Sequence, residues 1–116
     1  MIMRTNKVAF LHLRFKDQKK ITPKGGITIA YELQNIDGSG EFINVRFNYS
    51  TCSEKDHYNR KIGNRVAAGR LKVKGEVSNY VAYKDSWFDE FELYVFNSFE
   101  TPLPLVNTSR AKVRIG

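Results

Sequence analysis

The sequence predicts an α+β domain: a mostly antiparallel β-sheet of five to six strands with one amphipathic basic helix packed on it, in the order β-β-β-α-β-β-β. Three observations lead there. Apolar and polar residues alternate with period two in segments on both sides of the chain's middle, which is the pattern of half-buried strands. The central stretch Cys52–Gly75 instead spaces apolar residues at helical intervals and carries seven cations. A length of 116 residues with 41% hydrophobic side chains fits one compact domain over residues 1–116, large enough to bury a core without staples.

The elements follow in order. In AFLHLRF, residues 9–15, Ala9, Leu11, Leu13 and Phe15 share one face while Phe10, His12 and Arg14 take the other. The polar KDQKKITPKGG that follows, with its proline and paired glycines, reads as a turn or loop. ITIAYEL places Ile27, Ile29, Tyr31 and Leu33 inward, and NIDGSG supplies turn chemistry. FINVRFNY returns with Ile43, Val45, Phe47 and Tyr49 on one face and Asn44, Arg46 and Asn48 on the other. Half-polar alternation of this kind favours a hairpin in an antiparallel sheet covered on one side.

The helix is expected to start at a capping box, Thr51 with Glu54 or Ser53 with Asp56. At about 100° per residue, Tyr58, Ile62, Val66 and Val73 form a stripe with Gly69 among them, expected to pack on the sheet. Lys61, Arg65 and Lys72 make one flank of this stripe, and Asn59 and Arg70 the other. Gly69 on the stripe would admit close approach to the sheet; Gly63, nearer the edge, fits close packing, a ligand, or the end of a short first helix. VSNYVAY, FELYVF and AKVRI are three further strand candidates, with the proline-bearing NSFETPLPLVNTS as a loop between the last two.

Charge is segregated within a formal net charge of +7. Residues 1–24 carry seven cations against Asp17, and residues 55–74 carry seven against Asp56. Residues 85–100 hold Asp85, Asp89, Glu90, Glu92 and Glu100 with no cation. A dipolar molecule of this kind steers toward an anionic partner. An acidic segment folded against the basic helix would neutralise that field internally. One cysteine excludes a disulfide framework within the chain and fits a reducing compartment. With no signal-peptide core and no membrane-spanning apolar run, the expected location is the cytoplasm.

Catalytic chemistry finds little support. Cys52 falls at the expected helix N-terminus, where the dipole favours a thiolate, but Cys52 and His57 are not an i,i+4 pair. Two histidines and one cysteine without paired spacing furnish no zinc site. No GxxxxGK[ST], GxGxxG or HExxH occurs. The expectation is a protein that is not an enzyme and needs no cofactor or metal. The basic helix carries the binding signal instead: Arg60, Lys61, Arg65, Arg70 and Lys72 suit phosphates, with Asn59 and Asn64 as neutral donors. Outward aromatics among Phe10, Phe42, Tyr80, Tyr94 and Phe96 would either stack bases or fill a second core layer.

The pattern C-x-x-x-D-x-Y-N-R-K-x-G-N-x-x-A-x-G-R-L, Cys52 to Leu71, resembles a helix motif of small phage-encoded accessory proteins. Asn64 stands where that motif more usually has arginine. The resemblance covers about twenty residues and implies a phage origin and action on host or phage nucleic-acid machinery. Three functions are therefore expected to compete. The first is a binding module for DNA or RNA, or for a protein–nucleic-acid complex. The second is a counter-defence, anti-CRISPR-like inhibitor docking on a host nucleic-acid-processing protein. The third is a nucleotide-signal sponge whose pocket forms by homo-oligomerisation, with Tyr58 or Trp87 stacking the base.

Overall fold

The computed structural model describes residues 7–36, 38, 40–73 and 77–109. Strands β1 (Ala9–Asp17), β2 (Lys20–Ile21), β3 (Lys24–Asn35) and β4 (Phe42–His57) precede helix α1 (Arg60–Leu71). Strand β5 (Ser78–Tyr83), a short 3-10 turn, helix α2 (Trp87–Ser98) and strand β6 (Leu105–Asn107) follow. The strands form a curled antiparallel sheet in the order β2-β1-β3-β4-β5, with β6 pairing β1. The fold is thus α+β with a sheet of the expected size, but its chain order includes a second helix where a strand was expected.

The long β3–β4 hairpin is the frame. Its register runs from Ile27 opposite Thr51 to Asn35 opposite Ile43, so alternate side chains fall on opposite faces. One face holds Leu11, Leu13, Ile27, Ile29, Tyr31, Val45 and Phe47, the apolar set that the period-two pattern marks as inward. At the base of the hairpin the register shifts between Lys24 and Gly26. Gly25 there takes a φ of 81°, and a side chain on it would overlap the Phe15 ring.

Helix α2 covers the apolar face. Phe91 and Val95, one turn apart, are fully buried, and Trp87 and Phe88 pack beside them. The Phe91 ring meets Phe47 edge-on at 5.1 Å and Tyr31 at 5.5 Å. FELYVF is therefore helix, not strand. Its aromatic and β-branched content favours extended backbone, but burial follows helical spacing: Phe91 and Val95 are fully buried, while Leu93 between them, which a strand would turn to the same face, is exposed. Asp89 and Glu90 in the first turn suit the positive end of the helix dipole.

Helix α1 covers the opposite, largely polar face, so the sheet is covered on both sides rather than one. Its start also differs from expectation. Thr51 and Cys52 remain in the β3–β4 ladder, β4 continues through His57, and Asn59 is the N-cap. A hydrogen-bonded ladder that already satisfies those backbone groups leaves the Thr51 and Ser53 capping boxes unused. The inward side of α1 is Gly63, Ala67 and Leu71, with Ala67 and Leu71 packing on Ala30, Phe10 and Val8. Ile62, Val66 and Val73, expected on the sheet, are exposed, and Tyr58 lies before the helix.

The physical reason is spacing. A side chain built on Gly63 would run into Thr28 Oγ1, whereas one on Gly69 would meet nothing within 4 Å. The close approach therefore belongs to Gly63, and Gly69 faces outward. The segments expected to be loops also contribute to the sheet: KDQKKITPKGG holds β2 and the start of β3, and NSFETPLPLVNTS holds the C-terminus of α2 and β6. The strand candidate AKVRI lies outside the described residues.

Two paired substitutions test this arrangement by urea denaturation. Gly63→Ala should destabilise by about 1–3 kcal/mol through overpacking, while Gly69→Ala should gain up to about 1 kcal/mol of helix propensity. Phe91→Ala should cost about 3–5 kcal/mol, while Leu93→Ser, 62% exposed, should stay within about 0.5 kcal/mol. A strand would put residues 91 and 93 on one face and make both substitutions costly.

Candidate nucleic-acid interface

The candidate surface is α1 together with the end of β4. Polar side chains of the sheet hold the helix in place. At its C-terminus, Arg46 Nη2 donates to Leu71 O at 3.1 Å and Asn48 Nδ2 to Arg70 O at 3.2 Å. These contacts satisfy carbonyls that the helix itself leaves open, and the guanidinium suits the negative end of the dipole. The same Arg46 forms an ion pair with Glu32. At the other end, Asn59 Oδ1 accepts from Ile62 N at 3.0 Å and Ser50 Oγ donates to Gly63 O at 3.2 Å.

Beneath the middle of α1 lies buried His12. Asn64 Oδ1 accepts from His12 Nε2 at 2.7 Å, and in the neutral ring Nδ1 then accepts from Ser109 Oγ at 2.6 Å. The backbone N–H of His12 donates to the same hydroxyl at 3.0 Å. This network ties α1, β1 and the segment after β6 together. Asn64 accordingly turns inward, while Asn59 serves as helix cap.

Five cationic candidates reach solvent on α1 and its cap: Arg60, Lys61, Arg65, Arg70 and Lys72 are all exposed. They do not form a single band. With Ala67 and Leu71 facing the sheet, Lys61, Arg65 and Lys72 share one outward flank. The other flank is apolar: Ile62 is 52% exposed, Val66 37% and Val73 45%. Bare Gly69 lies on the crest between the two flanks. Arg70 sits lower on the apolar side, with Nη1 donating to Tyr49 O at 2.9 Å.

Between the apolar flank and the end of β4 is a cleft of about 310 Å³. Ile62, Val66 and Arg70 line it from the helix, and Ser50, Cys52 and Asp56 from the strand. Tyr58 forms its inner end. The Tyr58 hydroxyl lies 2.6 Å from Thr28 Oγ1, and Arg14 stacks over its ring at 4.5 Å. Burial raises the phenol's pKa above its usual 10.0, against the lowering effects of the Thr28 hydrogen bond and of Arg14 and Arg60. Tyr58 thus acts as a packed pillar. Cys52, within β4, places its thiol 3.5 Å from the carbonyls of Asp56 and His57, so it is not at the helix N-terminus that the nucleophile argument required.

The acidic segment does not fold onto this surface. Asp89, Glu90 and Glu92 belong to α2, on the far side of the sheet, where Asn107 Nδ2 donates to Glu92 Oε2 at 2.9 Å. The aromatics considered for base stacking serve packing instead. Phe10 packs against the Ala67 and Leu71 cluster, and Tyr80 and Phe96 against the α2 core. Tyr94 stacks on Tyr80 at 4.6 Å, and Phe42 pairs with Tyr83 at 4.8 Å. Among the described residues, no group of three His, Cys, Asp or Glu side chains is placed to hold a metal ion, and no helix is long and apolar enough to cross a membrane.

Sequence reasoning missed the apolar flank and the cleft because it assigned Ile62 and Val66 to the core. The available signal was a second stripe, Gly63–Ala67–Leu71, small enough to sit on polar neighbours such as Thr28 and Ser50. Comparison with protein-family models, curated proteins and solved structures finds no match for the chain.

Alkaline titration tests the pillar. The pKa values of Tyr31 and Tyr58 are raised by burial above 10.0, so the folded state favours the neutral phenols. Their contribution is fully present below pH 10 and is lost as pH rises through the higher folded values. Tyr58→Phe should remove part of that alkaline loss in melting temperature measured across pH 9–12, a range set by the usual tyrosine pKa of about 10. An unchanged alkaline slope would show that Tyr58 is not desolvated.

Proposed function

We propose that the chain is a small non-enzymatic binding protein, of the phage accessory kind its helix motif resembles, that contacts nucleic acid through the outer face of α1. One observation carries this reading. Lys61, Arg65 and Lys72 share an exposed flank, while the acids of α2 lie across the sheet. Fixed positive charge on one side and negative charge on the other orient the molecule as it approaches a polyanion. Arg60 at the first turn and Arg70 at the cleft extend the cationic footprint, and arginine provides planar bidentate contact with phosphate.

A second reading draws support from the apolar flank. Exposed Ile62, Val66 and Val73 beside cations suit docking on a host protein, as a counter-defence inhibitor would require. Affinity purification from bacterial lysate with and without nuclease separates the two. Loss of all partners after nuclease supports nucleic-acid binding; a stoichiometric partner that survives supports inhibition.

The charge reading has a quantitative test. With about four phosphates neutralised, log affinity for duplex DNA should fall against log salt with a slope near −3.6. Lys61→Gln with Arg65→Gln should weaken binding at low salt and reduce that slope by about 1.8. Salt-independent affinity, or no affinity for any DNA or RNA at low salt, would sink the proposal.

A further inference from the structure

We infer that the ligand of this surface is single-stranded nucleic acid, its phosphates on the Lys61–Arg65–Lys72 flank and a base turned over the crest of α1 into the cleft beside β4. The inference rests on the nucleic-acid reading above and deepens it by naming the form of the ligand.

The argument starts from the split outer face of α1. A surface built for duplex backbone alone needs cations and hydrogen-bond donors, because the duplex presents phosphates and keeps its base faces stacked inside. Half of this face is instead apolar: Ile62 and Val66 are 52% and 37% exposed. Against a duplex backbone these side chains would meet phosphate and water. A single strand offers unstacked base faces, whose contact with apolar and aromatic groups is favourable whatever the base. Cationic and apolar flanks side by side along one helix match the two sides of a single strand.

The path between the flanks is open. Gly69 lies on the crest, and a side chain built there would meet no atom within 4 Å. A strand crossing the helix at this point approaches the backbone directly. Beyond it the cleft, about 310 Å³, falls at the small end of ligand pockets, which run about 300–1,000 Å³. Its wall is Ile62 and Val66. Its polar groups converge from both sides: Arg70, steadied through Nη1 by Tyr49 O, and Asn59, whose oxygen is committed to Ile62 N and whose amide nitrogen is the remaining donor. Asp56 supplies an acceptor for an exocyclic amino group. Thr28 and Tyr58 at the inner end bond to each other and so leave the cleft to side chains nearer its mouth.

Three probes of one length test the inference by fluorescence anisotropy: a single-stranded oligonucleotide, an abasic strand with the same phosphates, and the annealed duplex, which carries twice as many. The single strand should bind about tenfold more tightly than the abasic strand, as one stacked base contributes, and more tightly than the duplex. Ile62→Ser with Val66→Ser, at exposed positions, should remove about that tenfold advantage, with melting curves confirming the fold. Cys52, the single cysteine of the chain, lines the cleft and gives a readout that needs no variant. Its alkylation should be slowed by the single strand and not by the abasic strand. Equal binding of all three probes with Cys52 unprotected would overturn the inference and leave the nucleic-acid reading standing. Binding of none at low salt would overturn both.

Discussion

The seating of α1 on a polar sheet face is the constraint from which the rest of the structure follows. Most helices reach a sheet through an apolar stripe; this one uses the absence of a side chain at Gly63, which lets the helix backbone close on Thr28. Small residues set the contact, and Leu71 alone supplies a large fully buried side chain from α1. Because the inward side is occupied by Gly63, Ala67 and Leu71, rotation about the helix axis is set, and it turns Ile62 and Val66 outward. The basic flank, the apolar flank and the cleft are consequences of that one rotation.

Such a seat holds only if the buried polar groups are satisfied. The sheet does this at three levels along α1. Ser50 serves the Gly63 carbonyl near the start, His12 and Asn64 serve each other in the middle, and Arg46 and Asn48 take the last carbonyls. Directional bonds of this kind specify a register more strongly than apolar packing does. The other face follows the opposite logic. There α2 buries Phe91 and Val95 among Leu, Ile, Val and Phe side chains, so the area removed from water lies mainly in that layer.

Placing the two helices on opposite faces also decides the electrostatics. Lysine and arginine on α1 and the carboxylates on α2 are separated by the thickness of a sheet rather than neutralised in contact. The molecule is therefore polarised across its sheet, and on the cationic side three exposed aliphatic side chains, Ile62, Val66 and Val73, lie beside the basic flank. That combination gives the cationic face a chemistry beyond net charge, and it draws the proposed function toward a ligand with both phosphate and apolar surface.

Period-two alternation sufficed to mark β1, β3, β4 and β5 as strands and to pick the core side of the first three, because a strand's faces are set by parity within a few neighbouring residues. The concentration of cations over residues 55–74 was equally plain in the sequence. Tertiary structure decided what parity and periodicity leave open. FELYVF satisfies strand alternation as well as helical spacing, and only the apolar sheet face waiting for Trp87, Phe91 and Val95 selects the helix. Likewise α1 carries two stripes, one of aliphatic side chains and one of small residues, and a local pattern favours the more hydrophobic. The face available to α1 was lined by Thr28, His12, Arg46 and Ser50, which reward close approach and hydrogen bonding. The small stripe therefore went inward, for a reason held by residues distant in the chain.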